Sequence, residues 1–260
     1  MKLRNKVIFI TDADSFSGKA LVNRLSGEGA HFILNSESNG SLLEAELVKA
    51  RTAGSEIFVV QRNLCRSNEV AEVLDQANLT LGKVDVLIHN NDLLKPALAE
   101  TCEENIFLEI INANAKSAFI CTQTVGRQMI GNQNGKIIYI SSIHAEKPTG
   151  TTFAYSASKG AIKMLSKEAA LELGRHGVQV NTIELGPMKE NPDRFISGLS
   201  ALYDSYERKI PSDQPGSYED LAHLVLYLVS DEARYINGTD IRLDGGFLLH
   251  YMDHKMKRPL

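Results

Sequence analysis

Short apolar runs alternate with stretches of helical spacing along the whole chain. Val7–Ile10, Phe32–Leu34, Ile57–Val60, Val84–Ile88, Lys136–Ile140, Val178–Ile183 and Asp240–Leu243 read as strands. Between them, helical spacing covers Lys19–Leu25, Ser41–Ala53, Asn68–Leu81, Leu108–Met129, Ala154–Arg175 and Glu219–Ser230. Strands that are apolar throughout, rather than alternating, belong in a parallel sheet covered on both faces. The pattern therefore predicts one doubly wound α/β domain over residues 1–260, with about seven parallel strands. Such a sheet binds ligands beyond the carboxyl ends of its strands, so the chemistry is expected just after each strand.

Composition narrows the function without changing the fold. The 260 residues contain 43% hydrophobic residues, enough for a sizeable core, and the net charge is −4. A mildly acidic chain with no long basic stretch is not expected to bind nucleic acid; Lys255 to Arg258 reads as a solvated basic tail. Cys65, Cys102 and Cys121 form no C-x-x-C pair, so neither a disulfide framework nor a metal site is expected. No apolar run is long enough to span a membrane, and Met1 to Phe9 lacks the pattern of a signal peptide. A cytoplasmic location and a small-molecule substrate are expected.

The candidate chemistry centres on Tyr155-Ser-Ala-Ser-Lys159 at the start of a long helix. A four-residue offset puts the phenol and the amine on one helical face. An ammonium beside a phenol favours the tyrosinate, which suits a proton-exchanging group. Ser142 sits at the end of the fifth strand and can hydrogen-bond a substrate oxygen while Tyr155 exchanges a proton with it.

The strand ending in Ser141-Ser142, the Tyr155-x-x-x-Lys159 pair and Asn114-Ala-Lys-Ser-Ala-Phe119 resemble the active-site segments of the short-chain dehydrogenase/reductase superfamily. Asn181-Thr-Ile183 with Gly186-Pro187, and Tyr235-Ile-Asn-Gly-Thr through Asp244-Gly245-Gly246, resemble its later signatures; the similarity runs from about Leu3 to Phe247. The resemblance implies a Rossmann-like sheet and interconversion of a carbonyl and an alcohol with NAD or NADP, in the manner of a 3-oxoacyl reductase or a polyol dehydrogenase. Tyr155 is then general acid or base, and Ser142 orients the substrate oxygen. Lys159 lowers the tyrosine pKa and holds the nicotinamide ribose, and Asn114 completes a proton relay. The resemblance also implies a homo-oligomer, a tetramer by preference, paired through the helices Leu108–Met129 and Ala154–Arg175.

The cofactor positions depart from this family's pattern. Its loop T-G-x-x-x-G-x-G reads Thr11-Asp12-Ala13-Asp14-Ser15-Phe16-Ser17-Gly18. The glycines let backbone amides approach a pyrophosphate at a helix N-terminus; here Phe16 brings a ring and Asp12 a carboxylate. One such charge about 4 Å from a phosphate costs roughly 4 kcal/mol at an effective dielectric near 20, and less when solvated. Weak dinucleotide affinity is therefore expected, carried by Thr11, Ser15, Phe16, Ser17 and Gly18 in the loop. Ser36, Asn63, Leu64, Asn90, Gly186 and Met188 supply the remaining cofactor contacts, with Tyr155 and Lys159. His89-Asn90-Asn91-Asp92 stands where the family has N-N-A-G, and Asn63 where it has aspartate. The segment after the second strand offers no cation for a 2′-phosphate, which favours NAD over NADP.

Two other readings remain open. Thr11-x4-Phe16-x-Gly18 resembles the loop of halohydrin dehalogenases, which use the tyrosine without a nucleotide, although those enzymes have arginine at the position of Lys159. A non-catalytic partner subunit or ligand sensor is the third reading. Residues 188–214 are expected to form a substrate lid, with Phe195, His144 and Phe153 bordering the substrate.

Overall fold

The computed structural model describes residues 1–148, 150–190 and 209–249. Its strands are β1 (Val7–Ile10), β2 (His31–Asn35), β3 (Ile57–Val60), β4 (Val86–His89), β5 (Gly135–Ser142), β6 (Val178–Leu185) and β7 (Asp240–Leu243). They form a seven-stranded parallel sheet in the order β3-β2-β1-β4-β5-β6-β7. The helices are α1 (Phe16–Ser26), α2 (Glu44–Thr52), α3 (Ser67–Asn78), α4 (Glu104–Ile111), α5 (Ser117–Asn132), α6 (Phe153–Gly174) and α7 (Tyr218–Val229).

The doubly apolar strands explain this arrangement. Side chains alternate across a strand, so β1 sends Ile8 and Ile10 to one face and Val7 and Phe9 to the other; all four are buried. Ile8, Ile10, Phe32 and Leu34 pack with Leu21 and Leu25 of α1 and Leu221 and Val225 of α7. Val7, Phe9 and Ile33 pack with Val70 and Val73 of α3, Cys121 and Val125 of α5 and Ile162 of α6. Burying both faces leaves the strand ends as the place where polar side chains meet. The strand order reverses between β1 and β4, which opens a crevice at their carboxyl ends.

Two expectations need correction. The single helix expected over Leu108–Met129 is α4, then a π-turn at Asn112–Lys116, then α5. A π-turn widens the helix by one residue, and such turns recur at functional sites; here it carries Asn114. The polar run Asn112-Ala-Asn-Ala-Lys116 carries no proline or glycine to mark it. Strand β5 extends through Ser141 and Ser142, which the apolar pattern alone placed after the strand. Of the expected lid, residues 191–208 lie outside the described residues, and so does Phe195; the basic tail does too. Among the described residues, no helix is long and apolar enough to cross a membrane.

Candidate active site

Tyr155 and Lys159 lie one turn apart near the start of α6, and both are fully buried. The Lys159 ammonium sits 5.4 Å from the centre of the Tyr155 ring. Ser142 ends β5, where its hydroxyl caps a short turn by accepting from the His144 amide. Ser142 Oγ and His144 Nδ1 are 2.8 Å apart. The His144 ring in turn meets the Tyr155 ring edge-on, with centroids 5.3 Å apart. His144, expected at the substrate's border, is buried between Ser142 and Tyr155. Phe153, expected beside it, is half exposed and packs on Phe107.

Asn114 is held by the π-turn and is fully buried. Its Oδ1 accepts from the Leu93 amide (2.8 Å), and its Nδ2 donates to the Leu93 carbonyl (2.9 Å) and to Ser158 Oγ (3.0 Å). It therefore ties the segment after β4 to helix α6. Its neighbour His89 is buried and lies 2.8 Å from Ser117 Oγ through Nε2. Burial, and then the Lys159 charge, push the His89 pKa down to about 3, so this ring stays neutral.

Asp92 completes the centre. The Tyr155 hydroxyl donates to Asp92 Oδ1 at 2.7 Å, and Lys159 Nζ approaches the same oxygen at 2.9 Å. Lys159 also donates to the Asn91 carbonyl at 3.1 Å. In the sequence Asp92 is a departure from N-N-A-G, and nothing there joins it to Tyr155. The signal was present in the one position of that motif where a glycine had become a charge.

The loop between β1 and α1 is held by its own side chains. Asn90 Oδ1 accepts from the Asp12 amide, and Asn90 Nδ2 donates to the Asp12 carbonyl, Ser15 Oγ and Ser17 Oγ at 2.7–3.2 Å. Ser15 caps α1 by accepting from the Gly18 amide. Gly18 is needed for closeness, since a Cβ there would lie 2.3 Å from the Asp12 carbonyl oxygen. Thr11 Oγ1 accepts from the Asn90 amide. Asp14 reaches across to the end of β2, where it accepts from Ser36 Oγ, Ser38 Oγ and the Ser38 amide. Phe16 stacks on Tyr218 of α7, with centroids 6.0 Å apart and rings within 12° of parallel.

The remaining expected cofactor positions fall nearby or in the core. Asn63 Oδ1 accepts from the Cys65 amide, and the Leu64 side chain is buried in the core. Gly186 passes so close to Asp244 that a Cβ would lie 2.6 Å from its Cα. Met188 is buried and pairs with Gly216.

A family model described as enoyl-(acyl carrier protein) reductase matches residues 15–248. The 3-oxoacyl-(acyl-carrier-protein) reductase of Staphylococcus epidermidis is 30% identical over 245 residues, covering 94% of this chain and all of that protein. The chain belongs to the short-chain dehydrogenase/reductase superfamily. A short-chain type dehydrogenase/reductase from Picea abies is 28% identical over 94% of this chain and 93% of its own length. Among solved structures, a Serratia marcescens superfamily member is 29% identical with a TM-score of 0.85, over 95% of this chain and 99% of that one. An NAD+-bound xylitol dehydrogenase is 25% identical with a TM-score of 0.85, over 95% of this chain and all of that one.

The superfamily uses NAD or NADP, and the residues present do not fit a dinucleotide seated in its usual way. Asp92 already occupies Lys159, expected to hold the nicotinamide ribose, and Tyr155, expected among the other cofactor contacts. Asp14 already occupies Ser36, expected on the adenosine side. Burial first, and then the charges of Asp14, Asp92 and Glu37, raise the Asp12 carboxyl to about 6, against a hydrogen bond from the Ser15 amide that lowers it. At neutral pH it is mostly ionised, in the place expected to receive a pyrophosphate.

Proposed function

We propose that this chain is an acid–base enzyme acting at the oxygen of a small carbonyl compound or alcohol. The observation that carries this reading is the assembly of Tyr155, Lys159 and Ser142 at the carboxyl edge of the sheet, with Asn114 behind them. Tyr155 gives a proton to the substrate oxygen or takes one from it. Ser142 hydrogen-bonds the same oxygen and fixes its position. Lys159 supplies positive charge beneath the phenol. The names of the relatives, a 3-oxoacyl reductase and a xylitol dehydrogenase, support a carbonyl or polyol oxygen as the target and an oxidoreductase as the reaction class.

The altered cofactor positions favour a second reading, in which the same tyrosine works without a nucleotide. A tyrosinate that deprotonates a hydroxyl lets the alkoxide displace a neighbouring leaving group, as in halohydrin dehalogenases, whose loop Thr11-x4-Phe16-x-Gly18 resembles. Two assays separate the readings. One follows oxidation of NADH or NADPH with a 3-oxoacyl thioester, and its reversal with a polyol. The other follows halide release from a vicinal halohydrin with no nucleotide added. In whichever assay turns over, Tyr155→Phe should lower the rate about a hundredfold or more, the usual scale for losing a general acid or base. An active protein indifferent to that change refutes both readings.

A further inference from the structure

Asp92 does more than depart from a pattern. Its Oδ1 accepts from the Tyr155 phenol and faces the Lys159 ammonium, at 2.7 and 2.9 Å. A sugar diol would have to reach these same two groups. The segment carrying Asp92 is pinned along its length. Asn90 is bonded into the loop before α1, the Asn91 carbonyl accepts from Lys159, and both backbone groups of Leu93 are bonded to Asn114. The carboxylate is thus held in place by three bonded neighbours, Asn90, Asn91 and Leu93, the way a preorganised contact is built.

We infer that Asp92 is the residue that decides nucleotide specificity in this chain: it stands in for a dinucleotide's second ribose on Tyr155 and Lys159. It therefore shuts out ligands that carry that ribose and leaves ligands that end at the pyrophosphate unaffected. An incoming hydroxyl must replace a charge-assisted bond to a fully buried ammonium, among the strongest hydrogen bonds a protein makes. This goes beyond the acid–base reading, because it concerns binding and holds whether or not the protein turns over.

Three probes isolate the effect: ADP, which lacks the second ribose, ADP-ribose, which has it, and NADH. Calorimetric titration into the natural protein should show ADP-ribose and NADH binding no tighter than ADP. Asp92→Gly and Asp92→Ala should each gain about tenfold or more for ADP-ribose and NADH. Their affinity for ADP should stay within about twofold. Thermal melts establish that the variants fold, and Asp92→Ser, which keeps a hydroxyl for Lys159, replaces either one that does not. ADP-ribose should raise the melting temperature of the folded variants and leave that of the natural protein unmoved. The inference is overturned if the natural protein prefers ADP-ribose or NADH over ADP by about tenfold. It is equally overturned if the folded variants gain nothing, or gain equally for ADP.

Discussion

The carboxyl edge of the sheet has two sides, and they are built on opposite terms. On the side of β5, β6 and α6, Ser142 ends its strand, and Tyr155 and Lys159 lie one turn apart near the start of their helix. On the side of β1 and β2, Asp12 and Phe16 stand where glycines were expected, and the loop around them is held by side-chain hydrogen bonds. Asp14 caps Ser36 and Ser38, and Asn90 locks Asp12, Ser15 and Ser17. The residues proposed to exchange a proton and the positions expected to receive a nucleotide follow different strands of the sheet. Asp92 lies where they meet, which is why its removal is the sharpest way to break the comparison.

The largest effect on stability is expected there. Lys159 is fully buried, and Asp92 is the carboxylate that faces it. Removing the carboxylate that faces a buried ammonium costs about 3 kcal/mol, at the low end for buried pairs because the Asp92 side chain is 27% exposed. Asp92→Ala should therefore lower the unfolding free energy by that order in denaturant titrations at pH 7. A loss below about 0.5 kcal/mol, the scale of an ordinary surface substitution, would mean that Lys159 is satisfied without Asp92, and the two sides would then be less tightly joined than the geometry indicates.

A somewhat smaller effect should appear at Asp12, and only over part of the pH range. Its folded pKa is raised to about 6 from an ordinary 3.8. The folded protein therefore binds this proton more tightly than the unfolded chain does. The stability it contributes is fully present below about pH 4 and is lost as pH rises through about 6. A shift of about two units corresponds to roughly 2–3 kcal/mol. Asp12→Asn should match the natural protein near pH 4 and exceed it in stability at pH 8 by about that amount. Equal pH profiles for the two proteins would show that Asp12 is not strained by its surroundings. The same titration should make any phosphate-bearing ligand bind better as pH falls through about 6.

How much of this was legible in the chain follows from the range of each interaction. The strands were legible because burial on both faces leaves runs such as Val7-Ile-Phe-Ile10 with no polar break. Tyr155 and Lys159 were legible because a helix brings residues four apart together. The π-turn at Asn112–Lys116 was not, since no proline or glycine in that segment marks it. Asp92 was visible as a substitution but not as a partner, because its bond to Tyr155 spans 63 residues and forms only once β4 and α6 are placed. His144 is similar: its position after β5 suggests a substrate contact, while its place between Ser142 and Tyr155 depends on how β5 and α6 pack.

The smallest expected effect concerns Phe16, and it decides how far the rebuilt side depends on its new side chains. Phe16 opens α1, is 54% exposed, and lies nearly parallel to Tyr218 at 6.0 Å. A stacked aromatic pair contributes about 0.5–1.5 kcal/mol beyond its area, and half exposure puts this one at the lower end. Phe16→Ala should therefore cost about 0.5–1 kcal/mol, read as a shift in denaturation midpoint with no change in slope. Phe16→Tyr keeps the stack and should leave the midpoint in place. The pair of variants separates packing from helix propensity, because only alanine loses the ring. If Phe16→Ala is neutral, the ring contributes little to the fold, and its cost to an incoming phosphate becomes the more economical account of why a half-exposed phenylalanine stands there. Calorimetric titration of NAD into Asp12→Gly/Phe16→Gly then measures that cost directly, and tighter binding than in the natural protein is the expected result.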